Sequence, residues 1–99
     1  MATFYLRLNA PRPTFGQDMT PEEVKIMQEH GAYWREVMEK GHVIVFGMVG
    51  DPKGVFGMGV AEFDSLEQAR AFADRDPTIT SRRGFSIDIL PMPRGAVHR

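Results

Sequence analysis

The chain contains no cysteine. That removes disulfide staples, thiol nucleophiles and cysteine-ligated metals together. No apolar run approaches the roughly 18 residues that a membrane helix needs. The stretch from Met1 to Pro13 lacks the apolar segment and small-residue cleavage site of a secretory signal. An excess of either charge is missing too: 12 Lys plus Arg stand against 13 Asp plus Glu, a net charge of −1. A general nucleic-acid binder needs a basic surplus facing phosphate. What is present is 99 residues, 42 % apolar and 25 % charged. That is too apolar for a disordered chain and long enough for one domain with a modest core. The expectation is a small soluble domain of cytoplasmic type, with neither membrane nor nucleic acid among its partners.

Phe4, Leu6 and Leu8 alternate with Thr3, Tyr5 and Arg7, the pattern of a half-buried strand. Pro11 and Pro13 end it by removing backbone donors, and a loop runs to about Met19. Thr20-Pro21-Glu22-Glu23 then predicts a helix start, with a threonine cap, proline in the first turn and Glu23 closing a capping box. The helix extends to about Lys40 and stops at Gly41. Val24, Met27, Gly31, Trp34 and Met38 share one stripe of it. Two apolar runs, His42 to Val49 and Val55 to Phe63, flank Gly50-Asp51-Pro52-Lys53-Gly54 and predict a hairpin. Ser65 with Gln68 reads as a second capping box, opening a short helix to about Ala73 that Asp76-Pro77 terminates. A strand from Gly84 to Leu90 closes the domain at residue 92, and residues 93–99 form a loosely held tail. The order β-α-β-β-α-β predicts an α+β, ferredoxin-like sandwich: four antiparallel strands with both helices on one face.

The hairpin strands are apolar on both faces, as strands covered on both sides are. A second copy of the chain packed sheet to sheet is the economical cover, making the expected partner a homodimer. A ligand groove, or exposed apolar residues, would give the same pattern. Gly57 and Gly59 share a face and suit close packing more readily than space for a ligand. Arg7 and Asp88 fall on neighbouring strands, where they either pair with one another or bind an anionic substrate, and pairing is the favoured reading.

Among groups able to do chemistry, His30 lies about 60° around the helix from Met27, at the margin of the buried stripe. An imidazole there can take and give protons near neutral pH. By itself it reads more readily as a core-edge histidine with one hydrogen bond. Asp76, locked before Pro77, either orients an imidazole or accepts backbone bonds in its turn, and on spacing alone the turn reading is favoured. His42 starts a strand and His98 lies in the tail. The 3 histidines have no tight spacing, so no metal and no cofactor are expected. The glycines of the hairpin open no helix and make no phosphate loop.

Taken together, Met27 to His30, Tyr33-Trp34, Gly41, Phe46-Gly47, Asp51-Pro52 with Gly54, Ala69 and Ala71, Asp76-Pro77, Gly84-Phe85 and Pro91-Met92 resemble the YciI-like (YCII-related) domain family. Leu6 to Leu8, Pro11 to Phe15 and Asp18 to Thr20 look like a longer bacterial branch of it. The resemblance spans about residues 4 to 92. It implies a dimeric α+β barrel and a cleft holding a histidine–aspartate pair, which falls on His30 and Asp76. It places a substrate pocket at Phe46, Gly47 and Phe85. Most members have no assigned reaction, and one similar protein of chloroaromatic breakdown is a dehydrochlorinase. Met48 stands where the family usually has proline, and Thr78 where alanine follows Asp-Pro, so the pocket's shape is expected to depart from the family's.

The expected function is that of a small-molecule enzyme. His30 would serve as general acid or base and Asp76 would fix its tautomer, in the elimination or isomerisation of a small organic acid or lactone. The alternative is a non-catalytic ligand-binding or assembly domain.

Overall fold

Leu6 is 1 % exposed, and the sheet is built around its strand. The computed structural model describes residues 1–98; Arg99, the last residue of the expected tail, lies outside them. In chain order the elements are β1 (Ala2–Asn9), α1 (Phe15–Asp18), α2 (Pro21–Glu39), β2 (Val43–Val49), β3 (Phe56–Phe63), α3 (Leu66–Asp74), α4 (Pro77–Thr80) and β4 (Ser86–Pro91). The strands form one antiparallel sheet in the order β2-β3-β1-β4. This is the ferredoxin-like α+β fold, with α2 packed on β2 and α3 on β3. No helix among the described residues is long and apolar enough to cross a membrane.

The caps explain where the main helix begins and ends. Thr20 accepts from the Glu23 backbone N–H while the Glu23 side chain accepts from Thr20, a complete capping box. At the other end Gly41 has φ +90°. Its N–H donates to the Met38 carbonyl and that of His42 to Val37, the paired bonds of a Schellman motif. The second box is only half formed. Ser65 does accept from the Gln68 N–H, but the Gln68 side chain accepts from Asp64, one residue earlier than a box requires.

Phe4, Leu6, Leu8, Ala61 and Phe63 face the helices and are buried with Trp34, Phe72 and Ala73. Trp34 lies so flat on β3 that a Cβ at Gly59 would collide with its six-membered ring, so that glycine serves close packing. The stripe of α2 differs from its expected membership. Val24 is 41 % exposed, and Glu23 is buried instead, because Arg12 reaches it from the preceding loop with two hydrogen bonds of 2.8 and 2.7 Å.

Among the described residues no helix covers the opposite face. One row of it runs Val45, Val60, Tyr5, Leu90 across all four strands, and the next runs Gly47, Met58, Arg7, Asp88. Val45 and Leu90 are 46 % and 55 % exposed. Arg7 and Asp88 are directly opposite in register but make no ion pair with one another. The Asn9 amide stands between them, accepting from Arg7 Nε at 2.9 Å and donating to Asp88 at 2.9 Å.

Candidate active site

Helix α2 carries His30 and Trp34 one turn apart, so both side chains reach the same side. There they meet Asp76, which is 0 % exposed. Its position is fixed locally. Asp76 has extended φ and ψ of −60° and 132°, Pro77 occupies the first turn of α4, and the carboxylate caps that helix by accepting from the Thr78 N–H at 2.9 Å. The Thr78 hydroxyl donates to the same oxygen, Oδ1, at 2.8 Å. Trp34 Nε1 donates to Oδ2 at 2.6 Å, and His30 Nδ1 lies 2.8 Å from Oδ2 and 3.0 Å from Oδ1. The turn role and the imidazole-orienting role of Asp76 are therefore both present in one carboxylate.

Burial by itself would raise the Asp76 pKa, but the hydrogen bond and charge of His30, with the bonds from Trp34 and Thr78, outweigh it and hold the carboxyl below its usual range. An ionised Asp76 has no proton to donate, so the proton between the two groups sits on Nδ1 of His30. The lone pair of the neutral ring is then on Nε2. Nearby, burial pushes Tyr33 up to about 12, with the Asp76 charge adding to the effect; its hydroxyl donates to the Phe72 carbonyl at 2.7 Å.

His30 borders a cavity of about 160 Å³ between the sheet and α2. Phe46 and Gly47 of β2 line it, as does Phe85 just before β4, so the three residues expected in a pocket share one cavity with His30. Phe15 of α1 closes it from outside, edge-on to Phe85 with ring centroids 5.4 Å apart. Arg12 ties this cover down. Besides Glu23 it bonds the side chain and backbone carbonyl of Asp18 at 2.8 and 2.9 Å. Its guanidinium, through these hydrogen bonds, holds the Glu23 carboxyl down at about 2. The other histidines stand apart from the cavity. His42 stacks on Phe63 and bonds the Glu62 carbonyl, and His98 is exposed in the tail.

Sequence reasoning missed Trp34 and Thr78 as partners of Asp76, and Phe15 as a cavity wall. The first was readable in outline, since Trp34 follows His30 by one helical turn. Thr78 sits two residues after a cap, where a cap's side chain normally finds its donor. Phe15 left no periodic trace.

The class is that of ferredoxin-like α+β folds, here with His30, bonded to Asp76, bordering an apolar cavity. Within it, the chain belongs to the YCII-related domain family, whose model matches residues 3–93. Among solved structures it is similar to TftG, the 5-chloro-2-hydroxyhydroquinone dehydrochlorinase of Burkholderia phenoliruptrix AC1100, in complex with 2,5-dihydroxybenzoquinone. The two are 19 % identical over 93 % of this chain and 95 % of that one, with a TM-score of 0.63. At that identity the likeness concerns the fold. None of the curated proteins matches the chain.

Proposed function

We propose that the protein is an enzyme that moves a proton on a small molecule bound in the cavity, in an elimination or an isomerisation. One observation carries the reading: Nδ1 of His30 is held by a buried carboxylate that itself has three further hydrogen bonds, which leaves Nε2 as the ring nitrogen available to a ligand. Nε2 takes a proton from the substrate. In an isomerisation it returns that proton to another atom. In an elimination the electron pair freed from the C–H or O–H bond forms a new double bond, with any intervening double bond shifting, as the leaving group departs with its own pair. Asp76 keeps the ring in the required tautomer and balances the charge that develops on it. The activity in the name of TftG, a dehydrochlorinase, is an elimination of this kind.

The test measures chloride release from chlorinated hydroquinones, and uptake of solvent deuterium by unsaturated lactones, in wild type and His30→Gln. Wild-type turnover should fall by about 10²- to 10⁴-fold in the variant, with its far-UV circular dichroism unchanged. Equal turnover in the two proteins would remove His30 from the reaction.

We propose further that a second copy of the chain covers the open sheet face. The row Val45, Val60, Tyr5, Leu90 supplies apolar area. The next row carries both Arg7 and Asp88, so a twofold copy of the face meets each charge with its opposite.

A further inference from the structure

We propose that the cavity selects an uncharged single-ring molecule bearing a hydroxyl group, and rejects carboxylates. This rests on the reading that the cavity is the substrate site, and it names the substrate class.

Size sets the first limit. The cavity measures about 160 Å³, and an apolar protein cavity of about 150 Å³ accommodates benzene. A single six-membered ring with small substituents matches that volume.

Charge sets the second. Among the described residues lining the cavity there is no Lys, Arg, Asp or Glu, and His30 is the titratable one. Arg12, beside Phe15, is bonded to Glu23 and Asp18 through its guanidinium nitrogens, and Arg7 lies over the Phe56 ring on the open sheet face with its Nε on Asn9. The pair behind the wall never becomes positive either. With a neutral His30 ring it carries the single negative charge of Asp76, and with a protonated ring it carries none. An anionic ligand would thus lose its hydration and meet no compensating cation. Of the organic acid and the lactone expected from sequence, the lining favours the uncharged molecule.

Chemistry of the wall sets the third. Phe15, Phe46 and Phe85 present ring faces and edges, and Met27 adds a thioether, groups that favour aromatic partners. The polar atom offered is Nε2 of His30. Its lone pair accepts a hydrogen bond, so the matching substituent is a donor, and a ring hydroxyl both donates that bond and can surrender the proton.

The experiment titrates the protein at about pH 7 with hydroquinone, which is neutral there, and with benzoate, which is ionised. Binding is followed by quenching of Trp34, the single tryptophan of the chain and itself part of the cavity wall. Hydroquinone should bind at least tenfold more tightly than benzoate, equivalent to about 1.4 kcal/mol. Met27→Lys, which places a cation one turn from His30, should reverse the order. Benzoate binding as tightly as hydroquinone to wild type, or no saturation by hydroquinone at millimolar concentration, overturns the proposal. So does an unchanged preference in a folded Met27→Lys protein; if that variant does not fold, the wild-type comparison decides. Binding is read here without turnover. Selectivity that survives while His30→Gln leaves turnover untouched would therefore overturn the acid–base reading and spare this one.

Discussion

Asp76 shows how much a single buried carboxylate can organise. Four donors from three residues converge on it, and they keep it ionised where burial would otherwise protonate it. Its folded pKa lies below the unfolded value of about 4, so the stability it contributes is complete above that value and is lost as pH falls through the lower, folded one. Thr78 supplies two of the bonds to Asp76, one from the backbone N–H and one from the hydroxyl, and a donor to the ionised carboxylate favours that form. Thr78→Val keeps the shape and the backbone donor but loses the hydroxyl, which raises the folded pKa and narrows the window. Denaturant titrations from pH 7 down to pH 2 should show the variant less stable by about 1 kcal/mol near neutrality. They should also show its acid-induced loss beginning at higher pH than in wild type. Identical acid profiles would mean that the hydroxyl does not support the charge.

At the scale of elements, the spacing of α2 from the sheet is set at β3. Gly59 lets Trp34 lie against the strand, whereas nothing stands within 4 Å of a Cβ at Gly47. Overpacking of a well-filled core costs about 1 to 3 kcal/mol, so Gly59→Ala is expected to lower unfolding free energy by about 2 kcal/mol. Gly47→Ala should change it by less than about 0.5 kcal/mol. Chemical denaturation of both variants checks the contrast. The elements whose causes are local were legible beforehand. Thr20 and Glu23 marked the start of α2, Gly41 its end, and Asp51 to Gly54 the hairpin turn, where the Gly54 N–H donates to the Asp51 carbonyl at 2.9 Å. The one-turn helices α1 and α4 escaped because four residues are too few to show a helical period. Glu23 was expected to serve its cap alone, since its burial depends on Arg12, 11 positions earlier in a loop. The contact between His30 and Asp76 spans 46 positions. No local rule reaches that far, and their pairing was implied beforehand by family resemblance alone.

For the molecule as a whole, the proposed pairing through the open sheet face makes a prediction about assembly. A twofold pair joined through that face should sediment at twice the mass of one chain, and Val45→Glu, which places a charge in the apolar row, should shift it to monomers. Sedimentation as a single chain by wild type at micromolar concentration would leave the face uncovered. The layout of the cavity has a different consequence. The groups proposed to handle or position the proton, His30, Trp34, Asp76 and Thr78, all stand on α2 and at the start of α4. The cavity walls include Phe15 of α1, Val55 ahead of β3 and Phe85 ahead of β4. On the proposed reading much of the selecting wall is thus carried apart from the acid–base pair, with Met27 and Trp34 as the part of it that α2 supplies itself. Lengthening the segment between β1 and α2, or exchanging Phe15, Val55 or Phe85, recuts the cavity while the proton-handling groups keep their places. A scaffold divided in this way can take up new substrates and retain its chemistry.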